Sequence, residues 1–251
     1  MSITIYVISA VLVFIFSGLL AMAGLGAAFL FVPLFYYLGV PLAEATPTAL
    51  LLNVVSLLFA AINYWRGKLI NWRVGFPVMV MAVILSPIGA RLTALVNKNF
   101  LLALFAAFLV FAGGMMLFYK APKREAELSR PIQIGAGAGV GSVAGFLGGL
   151  LGVGGGNFIL PVLNGLGMDA KLAAGTTAMV VVFSSLSGFL GHASLGGLDP
   201  TFIGITAGMA AAGSITGSQL MKTRVSTSQL KRIIGILLWG IAVKMILDLL
   251  K

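Results

Sequence analysis

Long stretches of this chain contain no Asp, Glu, Lys or Arg. They run 1–43, 45–65, 74–90, 99–119, 131–168, 172–198, 200–221 and 233–243. A helix needs about 20 apolar residues to cross the roughly 30 Å hydrocarbon core of a bilayer, and several of these runs are long enough. Charged residues make up 9% of the chain and hydrophobic residues 60%, against about 25% charged in ordinary soluble domains. A transmembrane β-barrel would show alternating polarity in strands of about ten residues. Here both faces are apolar over long runs, and only helices satisfy such a backbone inside lipid. The expected fold class is an all-α, multi-pass integral membrane protein.

The formal net charge of +10 does not point to nucleic acid, because the basic residues sit in short connectors between apolar runs. These are Arg66, Lys68 and Arg73, then Lys120, Lys123, Arg124 and Arg130, then Lys222, Arg224, Lys231 and Arg232. Cytoplasmic loops of membrane proteins have this composition. The chain has no cysteine, so disulfides, thiolate catalysis and cysteine metal sites are excluded. No metal and no cofactor is expected. The first apolar stretch, from Ile3, lacks a basic leader and is read as a retained helix.

The two halves of the chain align at a shift of 128 positions. Gly24, Gly26 and Pro33 meet Gly152, Gly154 and Pro161; Thr48 and Ser56 meet Thr176 and Ser184; Ser86 and Gly89 meet Ser214 and Gly217. The matched order of Gly, Pro, Ser and Thr marks an internal repeat. The division is a first membrane repeat over 1–119, a basic cytoplasmic linker over 120–130 and a second repeat over 131–251.

Each repeat holds five apolar pieces. The first has Ile3–Ala23, Ala27–Leu38, Pro47–Tyr64, Val74–Ala90 and Phe100–Tyr119. The second has Ile132–Leu151, Asn157–Leu166, Leu172–His192, Phe202–Met221 and Leu230–Leu250. The second piece of each is short: twelve helical residues rise only about 18 Å. Both are expected as broken or re-entrant helices. The basic loops 66–73 and 120–130 fall on one side, assigned as cytoplasmic. The counterpart of loop 66–73, about 194–201, carries only Asp199 and reads as outside. The repeats are therefore expected to be inverted, with both termini outside, and paired broken helices in an inverted repeat point to a secondary transporter.

Glycine turns open both short helices: Ala23-Gly24-Leu25-Gly26-Ala27-Ala28, and the richer run Gly152-Val153-Gly154-Gly155-Gly156-Asn157. Bare backbone at membrane depth must be buried in protein or line a cavity, and helix N-termini attract anions through free N–H groups and the helix dipole. Small residues also serve tight helix packing, so both roles stand open here. The candidate substrate-binding set is Gly24, Gly26, Ala27, Thr48, Asn53, Gly154, Gly155, Gly156, Asn157, Thr176 and Thr177. No lysine or arginine lies within the long apolar runs, so an anion there would be met by dipoles.

The stretch Gly152 to Pro161 reads G-x-G-G-G-x-x-x-x-P, and Ala173 to Thr177 reads A-x-G-T-T. With these motifs the chain resembles the TauE/SafE family of sulfite exporters over essentially its whole length. The resemblance implies movement of sulfite, sulfonates or small organic anions across the cytoplasmic (inner) membrane. The first repeat departs from the signature: Ala27, Ala28 and Phe29 stand at the positions of Gly155, Gly156 and Asn157, and Glu44-Ala45-Thr46-Pro47-Thr48 replaces the second motif. The two repeats are expected to contribute unequally.

Arg91 is expected to attract anions electrostatically near the membrane surface. Glu44, Asp169 and His192 are the candidates for proton coupling. Membrane lipids and a second copy of the chain are the remaining expected partners. The leading functional expectation is a secondary transporter of small anions working by alternating access. The alternatives are a passive anion channel and, further off, an intramembrane hydrolase using Ser184, Ser185, Ser187 and His192. Those four lie on one helix, where they cannot readily share a pocket with an oxyanion hole, so no enzymatic activity is expected.

Overall fold

The computed structural model describes residues 3–23, 26–119, 130–193, 198–220 and 227–250. Most of the linker 120–130 lies outside these residues, as do Gly24 and parts of the connectors 194–201 and 222–232. The described residues form ten helices: α1 (Ile3–Ala23), α2 (Ala28–Tyr37), α3 (Leu42–Arg66), α4 (Trp72–Leu92), α5 (Lys98–Phe118), α6 (Arg130–Leu151), α7 (Gly156–Gly165), α8 (Ala170–Ala193), α9 (Pro200–Leu220) and α10 (Thr227–Leu249). Among the described residues, six are long and apolar enough to span a bilayer: α1, α3, α4, α5, α6 and α8. Apolar Ile3, Phe76, Phe100, Leu190 and Ile236 point outward, as a lipid-facing surface requires. The chain is an all-helical, multi-pass membrane protein.

The short helices appear at both expected places, and each is 10 residues long. Their C-termini close alike. Val40 N–H donates to Phe35 C=O around Gly39, and Met168 N–H donates to Leu163 C=O around Gly167, with both glycines left-handed at φ 88° and 90°. Such a turn satisfies carbonyls that a helix end leaves open. Helix α3 starts five residues before the expected Pro47. Pro41 occupies its N-cap and Glu44 its first turn, and Pro47 removes only one N–H donor there.

Packing pairs the two halves. Helix α1 lies on α9 and α6 on α4; α4 meets α8 as α9 meets α3; α3 packs on α8, and α5 on α10. Exchanging the halves maps this set of contacts onto itself. The α4–α6 contact shows how close the backbones come. Gly141, Gly145 and Gly149 form one stripe of α6, and a Cβ on any of them would overlap the backbone of Val78, Ala82 or Ser86 on α4. Small residues at four-residue spacing allow this approach. For these glycines, tight packing is the role found.

Hydroxyls along the helices mostly tie neighbours together. Ser187 Oγ donates to Val83 C=O at 2.7 Å, and Ser214 Oγ to Ser56 C=O at 3.0 Å. At one end of the bundle Asp199 Oδ1 accepts the N–H groups of Thr201 and Phe202, capping α9, while Asp199 N–H donates to Glu44 Oε1 at 3.3 Å. At the other end of α3, the Asn71 side chain caps α4 and Asn71 N–H donates to Thr176 Oγ1 at 2.9 Å.

Candidate functional site

Helix α6 ends in the glycine run. Val153 N–H and Gly154 N–H both turn back to Gly148 C=O, and Gly152, Gly154 and Gly155 take φ of 73°, 72° and 75°. Left-handed backbone at three of four successive positions is cheap only for glycine. The run reverses the chain so that α7 starts beside the helix just ended. Gly155 is the N-cap of α7, and its carbonyl already accepts from Phe158 and Ile159. Among the described residues no side chain caps α7, so its first N–H groups leave the positive end of the helix dipole without a side-chain partner there.

Asn53, at the middle of α3, stands between the two glycine turns and is fully buried. Its Oδ1 accepts from Ala28 N–H, in the first turn of α2, at 3.4 Å. Its Nδ2 donates to Ser185 Oγ on α8 at 2.9 Å. A Cβ on Gly26 would overlap the Asn53 carboxamide from one side, and a Cβ on Gly154 would overlap it from the other. The absent side chains of Gly26 and Gly154 are therefore what let one amide touch both turns.

A pocket opens next to this amide, lined among others by Gly26, Asn53, Gly156, Asn157 and Thr177. Phe29, Leu57, Val153 and Val181 supply apolar wall. Thr177 is 7% exposed, and its hydroxyl has no hydrogen-bond partner among the described residues. An unmade bond of this kind costs about 1–3 kcal/mol in an apolar setting. Its free volume is about 20 Å³, enough for one water but too small for a sulfonate. The pocket is tight in this conformation.

Of the residues singled out in the sequence, Gly26, Asn53, Gly156, Asn157 and Thr177 meet at this pocket. Gly154 lies behind it under Asn53 and Ser185, and Gly155 is pressed on Ala144 of α6. Ala27 is a fully buried helix cap. Thr48 is fully buried, its hydroxyl has no hydrogen-bond partner among the described residues, and it is not part of the lining. Thr176 is not brought to the pocket. Its hydroxyl accepts from Asn71 N–H and donates to Leu172 C=O at 2.7 Å, a structural tie between α8 and the start of α4. Arg91 is exposed in the last turn of α4, where a cation complements the helix dipole.

The three proton-coupling candidates lie apart from the pocket. Asp169 is exposed and caps α8 through Lys171 and Leu172 N–H. His192 is buried, with Nε2 2.9 Å from Gly149 C=O at the end of α6. Glu44 is buried beside Asp199. The Tyr6 hydroxyl donates to Asp199 Oδ2; that bond first, and the Phe202 and Thr201 N–H groups with it, hold the Asp199 carboxyl below the usual carboxylate range. Ser185 was not among the candidate ligands, although it shares a face of α8 with Thr177 and Val181 at four-residue spacing.

No solved structure matches the chain. It is 26% identical to the probable membrane transporter protein YunE of Bacillus subtilis, over 74% of this chain and 78% of that protein. It is 26% identical to the probable membrane transporter protein MJ0441 of Methanocaldococcus jannaschii, over 71% of this chain and 69% of that protein. The family model described as "Sulfite exporter TauE/SafE" matches residues 9–245, and with that coverage the chain belongs to the TauE/SafE family of membrane transporters.

Proposed function

We propose that this protein is a secondary transporter that moves small oxyanions, sulfite or sulfonates foremost, across the cytoplasmic membrane by alternating access. The observation that carries the reading is the pocket at the opening of α7. There, Gly156 and Asn157 at the start of α7 and Thr177, whose hydroxyl has no partner among the described residues, line one pocket without a lysine or arginine in the lining. An oxyanion with several acceptor oxygens matches such a set of donors. Family membership supports the same substrate class.

Two further features support alternating access. The pocket has too little free space here for an anion, so loading one requires movement of the surrounding side chains or helices. The connector Gly67–Asn71 lies at the Arg66 end of α3, whereas its counterpart residue Asp199 meets Glu44 near the opposite end. In our reading the two repeats run in opposite senses across the bilayer, the arrangement from which rocking around a central site arises. The test is flux of sulfite and of small sulfonates in proteoliposomes. Saturable flux with counter-flow supports a carrier. Single-channel currents would make it a passive channel instead.

A further inference from the structure

A second cavity lies at the end of the bundle where α2 stops and α5 begins. Its free volume is about 190 Å³, nearly ten times that of the inner pocket on the same measure. Tyr36, Tyr37, Lys98, Asn99 and Asp248 give it polar walls. Lys98 Nζ lies 5.3 Å from the centre of the Tyr36 ring, and Lys244 Nζ lies 3.8 Å from that of Tyr37. The Tyr37 hydroxyl donates to Asp248 Oδ2 at 3.2 Å. The opposite charges of Lys244 and Asp248 thus meet at one tyrosine, and Lys98 adds a further positive charge.

Lys98 is not placed there for helix stability. It is the first residue of α5, where the positive end of the dipole disfavours a cation. An anion in the cavity would meet that ammonium at the positive end of the α5 dipole, where Asn97 Oδ1 already takes the Asn99 N–H.

The cavity is aligned with the inner pocket along one helix face. Tyr36 and Leu102 line it and also line a narrow, mainly apolar slot formed with Val32, Pro33, Phe105 and Leu151. Phe29 then lines the inner pocket. Residues 29, 32, 33 and 36 fall within one arc of α2 at 100° per residue, and seven residues rise about 10 Å. Lining residues of the polar mouth, the apolar slot and the inner pocket follow one another along α2.

We propose that the Lys98 cavity is a capture site for the transported oxyanion, and that the Phe29–Tyr36 face of α2 is its route to the inner pocket, closed here by the apolar slot. This rests on the anion-transport reading above. Apolar constrictions of this kind gate by excluding water. The capture site concentrates anions at the mouth, a task the sequence assigned to Arg91.

The test uses the full chain in proteoliposomes, with sulfite and methanesulfonate as probes. Wild-type flux comes first, and absence of saturable flux overturns the transport reading itself. Given flux, Lys98→Gln is expected to raise the half-saturation concentration at least fivefold at low salt, with the maximal rate kept within about twofold. Lys98→Arg is expected to restore it. In an Asn99→Cys variant, the chain's sole thiol, each probe anion is expected to slow labelling by a negatively charged thiosulfonate. Unchanged half-saturation in Lys98→Gln together with no protection at Asn99→Cys overturns the capture site and leaves the transport reading standing. Protection by phospholipid but not by the anions makes the cavity a headgroup seat and overturns the proposal equally.

Discussion

The Asn53 carboxamide donates to the Ser185 hydroxyl at 2.9 Å, joining the middle of α3 to the middle of α8 across the two halves of the chain. The same amide accepts from the first turn of α2 and lines the inner pocket. Its two ends therefore do different work. Ser185→Ala leaves the Nδ2 donor unpaired and is expected to cost about 1–3 kcal/mol of stability with flux largely retained. Asn53→Asp keeps the shape but adds a negative charge to the pocket wall, and flux of sulfite is expected to fall at least tenfold. Equal flux in Asn53→Asp and the parent, at matched abundance, would remove Asn53 from the anion site.

The glycines of the run are not equivalent. Gly154 and Gly155 are left-handed, and a Cβ on either meets buried groups: Asn53 and Ser185 for the first, the Ala144 backbone for the second. Alanine at 154 or 155 is expected to cost about 1–2 kcal/mol from backbone conformation alone, with further loss from overlap. Gly156 is helical, and its Cβ would lie 3.2 Å from Val181 Cγ2 and 3.7 Å from Thr177 Cγ2. Gly156→Ala is expected to fold and to retain measurable flux. Thermal unfolding in detergent, paired with flux, separates the three, and an order in which Gly156→Ala is the least stable contradicts the argument.

Thr176 and Thr177 are neighbours with opposite duties. Thr177→Val deletes the pocket hydroxyl that lacks a partner among the described residues, so it is expected to raise the half-saturation concentration for sulfite several-fold while stability holds or rises. Thr176→Val deletes the acceptor of Asn71 N–H and is expected to lower stability by about 1 kcal/mol with half-saturation unchanged. Arg91→Gln acts only through the field of an exposed charge, so any effect is expected to vanish as salt shortens the screening length. Flux curves at low and high ionic strength check all three.

The helices were legible in the sequence because a bilayer-length run without charge has few other folds. The two short helices were legible from run length and glycine turns. Where α3 begins was not, since Pro47 reads as a first-turn residue, and only the chain path through Pro41 shows that helix starts earlier. Residue types pointed to the glycine turns where the candidate pocket lies, but which of Thr176 and Thr177 lines it depends on helix phase, 100° apart. Phase in turn depends on which neighbour packs where. Ser185 was legible in principle, lying eight residues beyond Thr177 on the same face. Its bond to Asn53 spans 132 positions, and no local pattern announces a partner at that distance.

The senses of the two repeats are testable because the chain has no native cysteine. Lys68 and Leu198 mark the counterpart connectors, and Leu198 stands beside Asp199, which reaches Glu44 at the far end of α3. Single cysteines at these two positions are expected to react with a membrane-impermeant maleimide from opposite sides of oriented vesicles. Labelling of both from one side would mean parallel repeats.

The Tyr6 hydroxyl bond to Asp199 predicts a specific pH dependence. Asp199 also accepts from Thr201 and Phe202 N–H, so the carboxylate fastens α1 to the first turn of α9. These bonds hold its carboxyl below the usual carboxylate range, with the tyrosine bond contributing most. A depressed value in the folded state means that the ionised group stabilises the fold above the ordinary carboxylate range of about 3.9. That contribution is lost as pH falls through the lowered value. In Tyr6→Phe the carboxyl moves back up, so the variant is expected to melt earlier than the parent at neutral pH and to lose its remaining Asp199 contribution at a higher pH. Once both are protonated, the part of the difference that depends on charge disappears, and the two melting curves approach each other. Thermal unfolding in detergent from pH 7 down to about pH 2.5 follows this convergence. A difference that stays constant across the range would mean that Tyr6 stabilises the protein through ring packing on Phe202, which its edge-on contact at 5.8 Å also provides, and not through the carboxylate.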